Sequence, residues 1–207
     1  MLETERLTLD LHQPGDVVPM AAIWADPETI LHLGGRPADA EACWRRLLRY
    51  RGLWPVLGYG YWAIREKQTG AYVGEIGFAD FHRETEPSIA GIPEAGWVLA
   101  PGFRKRGYAR EALRAALGWL DRHVAAPRSV CLIAPANLAS IRLAEKAGYA
   151  GCGTVRLQGQ DTMLLRRRRA AGEPAYRPGP AAALVSGVAA SGASCGASSA
   201  TTLNPAR

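Results

Sequence analysis

The run Pro101-Gly102-Phe103-Arg104-Lys105-Arg106-Gly107-Tyr108-Ala109 carries the strongest chemical signal in the chain. It lies between a strand-like segment at 94–99 and a helical segment at 107–124. Strand, tight turn and long helix in that order leave backbone N–H groups at the helix start without intrahelical acceptors, ready to hold an anion. Gly107 can take a dihedral or a close contact that a side chain would forbid, and Ala109 leaves room for a bulky diphosphate against the first helical turn. Arg104, Lys105 and Arg106 add positive charge to the same loop, which needs no metal to hold phosphate. Asn137 and Ser140 form a second cluster. They stand three apart at the start of a helical segment and so share a face. Asn137 can be an N-cap with Ser140 a small residue of the first turn, or both can face a ligand.

The elements that must position these groups follow from periodicity. Residues 6–11 alternate, with Leu7, Leu9 and Leu11 on one side, as a half-buried strand does. Segments 16–25 and 38–51 read as two short helices preceding the main sheet, the second carrying Ala42, Leu47 and Leu48 among arginines. Segments 60–66 and 71–81 are strand-like, and Lys67-Gln68-Thr69-Gly70 between them suits a hairpin. The segment 107–124 offers Ala109, Ala112, Leu113, Ala116, Leu117 and Leu120 to an apolar face. A strand at 129–134, a helix at 137–147 stopped by Gly148, and strands at 149–156 and 162–166 complete the pattern. Helices and strands on one sheet predict an α/β or α+β fold with a mixed sheet.

The 207 residues fit one domain with an appendage. Composition is 48% hydrophobic and 21% charged, which excludes a disordered or fibrous chain for the bulk of the sequence. From about Arg167 the character changes to a basic run and then Pro-, Ala-, Gly- and Ser-rich sequence. Residues 167–207 are therefore expected to be a disordered tail on a domain spanning 1–166. The net charge of +6 favours phosphate-bearing partners without naming one. Arg166 to Arg169 lack the interleaved aromatics of a nucleic-acid module, so no nucleic-acid partner is expected. Cys43, Cys131, Cys152 and Cys195 form neither a CxxC pair nor a zinc pattern, so no metal is expected and a reducing compartment is. Glu3, Glu5 and Asp10 stand where a secretory signal would be basic then apolar, and no stretch approaches the roughly 20 apolar residues of a membrane span. A soluble cytoplasmic protein, monomeric or homodimeric, is the expectation.

The segment Glu94-Ala-Gly-Trp-Val-Leu-Ala-Pro-Gly-Phe-Arg-Lys-Arg-Gly-Tyr-Ala-Arg-Glu-Ala-Leu resembles the acetyl-CoA motif of the GNAT superfamily of N-acetyltransferases. The core of that motif is Arg or Gln, two residues, Gly, one residue, Gly or Ala, and Arg104, Gly107 and Ala109 fill it. The segment Ala134-Pro-Ala-Asn-Leu-Ala-Ser-Ile-Arg-Leu-Ala-Glu-Lys-Ala-Gly-Tyr resembles the Asn-x-x-Ser-x-Arg-Leu helix of the branch containing RimJ/RimL-type ribosomal-protein acetyltransferases. The opening Leu2-Glu3-Thr4-Glu5-Arg6-Leu7-Thr8-Leu9 and Val73-Gly-Glu-Ile-Gly-Phe also fit that branch, so the resemblance covers about 2–166.

The resemblance implies a mixed, strongly twisted sheet flanked by helices and splayed near its middle. The pantetheine arm of acetyl-CoA would enter between the strand ending near Leu99 and the strand at 129–134. The pyrophosphate would sit on the amides of Arg104, Lys105, Arg106, Gly107, Tyr108 and Ala109. Backbone groups of Trp97, Val98 and Leu99 would pair with the pantetheine while their side chains pack the core. Asn137 would contact the pantetheine or acetyl end, Ser140 would lie near the sulfur and assist the departing thiolate, and Arg142 would approach the cofactor or simply face solvent. The implied reaction is direct attack of an unprotonated amine on the thioester, with the oxyanion held by backbone N–H groups near Val98. Glu94 and Glu75 are the carboxylates nearest the implied site and the candidates for its base, with His82 behind them and a water chain as the alternative. The tyrosine that serves as acid in many family members is absent from Ala139-Ser140-Ile141, and Tyr149 reads as structural. Trp24, His32, Trp54, Trp62, Phe81 and His82 could wall an acceptor cleft or simply pack. The acceptor would be a protein or peptide N-terminus or a small-molecule amine. A non-catalytic acyl-CoA-binding domain is the competing class.

Overall fold

The computed structural model describes residues 1–157 and 159–169, so the tail expected over 167–207 lies outside the described residues from 170 onward. In chain order the elements are β1 (Leu2–Glu3), β2 (Leu7–Leu11), α1 (Val17–Ala25), α2 (Pro27–Ile30), α3 (Ala40–Leu57), β3 (Tyr61–Glu66) and β4 (Tyr72–Ala79). They continue with β5 (Glu94–Leu99), α4 (Tyr108–His123), β6 (Arg128–Ile133), α5 (Leu138–Lys146), β7 (Ala150–Leu157) and β8 (Gln160–Arg168). The strands form one mixed sheet in the order β1-β2-β3-β4-β5-β6-β8-β7, as the α/β expectation required. Every neighbouring pair is antiparallel except β5–β6. A parallel pair needs a crossover, and α4 supplies it.

That one parallel junction is where the sheet opens. β5 and β6 share a single register pair, Glu94↔Val130, with Val130 N–H donating to Pro93 O at 3.0 Å. On its other edge β5 pairs with β4 along its whole length, from Ala79↔Glu94 to Gly74↔Leu99. The backbone of β5 beyond Glu94 thus has one satisfied edge and one edge facing a gap.

Two layers of side chains hold the sheet. On one face α4 buries Ala112, Leu113, Ala116, Leu117 and Leu120 against Leu9, Trp62, Ile64, Ile76 and Phe78. This is the stripe that the 3.6-residue periodicity marks. On the other face α1 and α3 bury Met20, Ile23, Trp24, Cys43, Leu47 and Tyr50 against Tyr61 and Ala79. The alternation of β5 divides its side chains between these layers: Trp97 and Leu99 join the α4 side, and Val98 the α1/α3 side.

Three elements differ from the sequence reading. The helix expected over 38–51 runs to Leu57, through Gly52 and Pro55. Pro55 loses its own N–H bond and would ordinarily end a helix. Here Trp54 holds the last turn, its Nε1–H donating to Tyr61 O at 3.1 Å and its ring meeting Trp62 and Trp119 edge-on at 4.8 and 5.4 Å. The helix then stops at Gly58, which takes φ 77°. A further short helix, α2, follows α1; Asp26 caps it by accepting from Thr29 N–H at 2.8 Å. The last strand extends past Arg166 to Arg168, because Arg167 turns inward onto Asp121, with Nη1 at 2.8 Å from Oδ1 and Nη2 at 2.5 Å from Oδ2. Among the described residues no helix is long and apolar enough to cross a membrane.

Candidate active site

The loop after β5 is built to leave amides free. A 3-10 turn at Pro101–Phe103 folds the chain back; Arg104 is extended, Lys105 adopts φ 60° and Gly107 φ 83°. Gly107 is the N-cap of α4 and no side chain caps this helix. The first intrahelical bond runs from Glu111 N–H to Gly107 O, so the amides of Tyr108, Ala109 and Arg110 have no partner within the helix. Together with the helix dipole they form an anion seat. Lys105 and Arg106 are exposed beside it.

Arg104 works differently from its neighbours. Its guanidinium turns away to α2, with Nη2 donating to Asp26 Oδ2 at 2.9 Å and to Thr29 Oγ1, Nη1 lying 2.8 Å from Glu28 Oε2, and Nε donating to Leu99 O at 3.3 Å. Its side chain is a brace between the loop and α2, and only its backbone faces the seat. A second brace starts at β2. Arg6 sends Nε to Glu111 Oε2 at 2.8 Å and Nη1 to Arg106 O at 3.1 Å, and its guanidinium lies 4.4 Å from the centre of the Tyr108 ring. Thr4 Oγ1 donates to Glu111 Oε1 at 2.6 Å, and Tyr108 OH donates to Glu66 Oε1.

These braces make the loop acid-labile. Thr29 first, then Arg104, hold the Asp26 carboxyl below its ordinary value; Tyr108 and Thr69 do the same for Glu66. Burial would raise Glu111, but Thr4 and Arg6 outweigh it and draw it down. Carboxyls depressed in the folded state contribute stability above their unfolded pKa and lose it as pH falls through the folded value. The melting temperature is therefore expected to drop once the pH passes below about 4.3. Glu111→Gln should start lower and lose less on acidification, and parallel curves for the two proteins would contradict this account.

The unpaired edge beyond Glu94↔Val130 leads along β5 to the loop that carries the anion seat. Ala100 N–H donates to Val73 O at 2.9 Å, and Val98 lies opposite Glu75 and Gly96 opposite Gly77. By the alternation of an antiparallel ladder, the backbone of Gly96 and Val98 then faces β4, while that of Trp97 and Leu99 faces the gap. The Trp97 amide, next to Val98, therefore points into the gap. Across the gap stands α5. Asn137 Oδ1 accepts from Ser140 N–H at 3.1 Å, so Asn137 is the N-cap, and Ser140 Oγ accepts from Trp97 Nε1–H at 3.3 Å. Trp97, Asn137 and Ser140 thus meet at the gap, while Arg142 is exposed on the outer face of α5.

The carboxylates are both held. Glu94 is 7% exposed and receives Arg83 through Nε at 2.7 Å and Nη2 at 3.1 Å; burial raises its pKa against the opposing pull of Arg83. Glu75 is 1% exposed. Its Oε1 accepts from Trp24 Nε1–H and Tyr50 OH, both at 3.0 Å, and its Oε2 from Tyr72 OH at 3.3 Å. His82 is exposed, its ring 3.9 Å from Asp80. Of the aromatics considered for a cleft, Trp54 and Trp62 pack with Trp119 in the α4 layer. Trp24 and Phe81 stand on the opposite face with Tyr50, Tyr61, Tyr72 and Arg83, residues that sequence reasoning passed over. The available signal was the pair of glycines, Gly77 and Gly96, on adjacent strands.

Comparison with known proteins places the fold in a family. The GNAT acetyltransferase domain profile matches residues 6–150. The uncharacterised protein YkkB of Bacillus subtilis (strain 168) is 32% identical over 113 residues, covering 54% of this chain and 63% of that protein's length. A Bordetella pertussis protein described as a GnaT-family acetyltransferase superposes with TM-score 0.70 at 32% identity, over 80% of this chain and 98% of the other. RimL, a ribosomal L7/L12 α-N-protein acetyltransferase in complex with coenzyme A, has the same fold, with TM-score 0.65 at 17% identity over 80% of this chain and 95% of that one.

Proposed function

Because the chain belongs to the GNAT acetyltransferase family, we propose that it transfers the acetyl group of acetyl-CoA to a primary amine by direct attack. The observation that carries this reading is the uncapped start of α4 one loop away from the β5 edge left unpaired after the single Glu94↔Val130 pair. A diphosphate suits the amides of Lys105 to Ala109, and an extended amide-bearing arm suits the free edge of β5 at Trp97 and Leu99, as an added strand would. Acetyl-CoA supplies an activated thioester carbonyl and a leaving thiolate. Trp97 N–H is directed where negative charge develops on the carbonyl oxygen. The amine forms the new C–N bond and gives up a proton, and the thiolate leaves with the electron pair of the C–S bond and is protonated. Ser140, already in contact with Trp97, is the hydroxyl at hand for that thiolate.

The base is Glu94 or a water it holds. Glu94 stands at the apex of the gap with its pKa raised by burial, which suits proton acceptance near neutrality better than an ordinary surface carboxylate does. Glu75 already accepts three hydrogen bonds. The acceptor is a protein or peptide N-terminus or a small-molecule amine, approaching from the α1/α3 face.

Two experiments address this reading. Thiol release from acetyl-CoA is measured with the full chain against peptide N-termini, polyamines, amino sugars and amino acids, with mass spectrometry on each mixture. An acetylated amine is the expected product, and coenzyme binding with silence across the panel would favour a non-catalytic acyl-CoA-binding domain. Ser140→Ala should lower kcat about tenfold, the worth of one hydrogen bond to a charged group, with the KM for acetyl-CoA little changed. Unchanged kcat would leave Ser140 as a helix residue only.

A further inference from the structure

Tyr61 on β3 is a buried phenol for which the reading above has no use. The register sets Tyr61 opposite Gly77 on β4, and Gly77 opposite Gly96 on β5. The phenol therefore lies along a row in which the next two strands carry no side chain. A Cβ at Gly77 would collide with the Tyr61 Cα and the Gly60 carbonyl, and a Cβ at Gly96 would overlap the Tyr61 hydroxyl. Two adjacent strands give up side chains to seat one ring. The ring is fixed from above by Tyr50, stacked at 4.1 Å between centroids and 3° between planes.

The hydroxyl so positioned has no acceptor. Tyr61 is 6% exposed and its OH makes no hydrogen bond among the described residues, yet it is not one of the sealed polar atoms, which are His12 Nδ1 and Arg46 Nε, so the hydroxyl is open to solvent and to a ligand. A hydroxyl held in place by packing and left free of protein acceptors is available to donate to a ligand at little reorganisation cost. Burial, then Glu94 and Glu75, push the Tyr61 pKa upward, which favours the protonated, donating phenol. Gly96, over which the oxygen sits, is the second residue past the start of β5 and lies just beyond the last β5–β6 pair. The unpaired donor thus stands at the apex of the gap, on the α1/α3 face, one residue from the Trp97 amide.

We propose that Tyr61 is a catalytic residue whose phenol donates a hydrogen bond to the acyl carbonyl oxygen of the bound thioester, alongside the Trp97 amide. This rests on the acetyl-CoA reading above. It assigns the side-chain half of the oxyanion site to β3, and it gives Gly77 and Gly96 their reason.

Calorimetric titration of the full chain with acetyl-CoA and with S-ethyl-CoA, a thioether of similar length that lacks the carbonyl, tests it without needing the acceptor. Tyr61→Phe keeps the ring and its stack. It should weaken acetyl-CoA about three- to tenfold, the range of one hydrogen bond, and leave S-ethyl-CoA unchanged. Gly96→Ala, which keeps the phenol but displaces its oxygen, should erase the same preference. Loss of affinity for both ligands alike in Tyr61→Phe, or for neither, would overturn the assignment. Failure of the unaltered protein to bind either ligand would instead overturn the acetyl-CoA reading, and the assignment with it.

Discussion

Replacing Gly107 with valine is expected to weaken acetyl-CoA binding at least about 100-fold. Gly107 adopts φ 83° at the start of α4, a conformation that costs a β-branched residue about 1–3 kcal/mol. The chain relieves that strain by moving the amides of Tyr108, Ala109 and Arg110, the groups proposed to hold the diphosphate. Losing two charge-assisted hydrogen bonds of about 1.5 kcal/mol each gives the stated factor. A Cβ at this position would touch Arg6 Nη2 at 3.4 Å, an ordinary contact, so the effect comes from the backbone conformation. Gly118→Ala is the matched control on the same helix. Its Cβ would meet only Arg122, at 3.7 Å, and helical alanine is favoured over glycine, so it should bind normally and melt slightly higher. Calorimetry on both variants decides the matter, and normal affinity in Gly107→Val would remove the anion seat.

Glu75→Ala is expected to destabilise the protein by about 3–5 kcal/mol, the range for breaking a buried charged network. Trp24 Nε1–H, Tyr50 OH and Tyr72 OH all donate to this one carboxylate, which is 1% exposed. Truncation leaves Trp24 Nε1–H and Tyr50 OH without their acceptor and Tyr72 OH with only His12 Nε2 at 3.4 Å, each loss at the cost of a buried hydrogen bond. Arg46 packs 3.5 Å from the centre of the Trp24 ring and would lose the negative charge it faces. Urea unfolding measures the loss, and a change under about 1 kcal/mol would contradict it. Glu75→Gln keeps acceptor capacity and should lose less. Acetylation by Glu75→Gln at the unaltered rate would mark Glu75 as a holding group and leave Glu94 as the base.

The path from sequence to this account was uneven for physical reasons. Strands such as β5 and helices such as α4 were legible because burial on one face writes a period of 2 or 3.6 into the residues. The anion seat was legible because it is local: a glycine with positive φ and a helix start lie within one loop. The extension of α3 through Pro55 was not, since it depends on Trp54 meeting Tyr61, Trp62 and Trp119, contacts that only the folded chain brings together. Arg104 matched the expected motif by type, but its side chain turns to Asp26, Glu28 and Thr29 on a helix too short to announce itself. Trp54 and Trp62 drew attention as cleft aromatics and pack in the core. Tyr61 carries no such signal, because its significance lies in two glycines on neighbouring strands whose register no single segment reveals.

The most direct test of the account is an amide-resolved NMR titration of the protein with acetyl-CoA. The account predicts that the largest shifts fall on Trp97 and Leu99 along the open edge of β5 and on the run from Lys105 to Arg110, with Asn137 and Ser140 following across the gap. Unmoved amides in these segments at saturating ligand, with shifts elsewhere on the sheet, would contradict it.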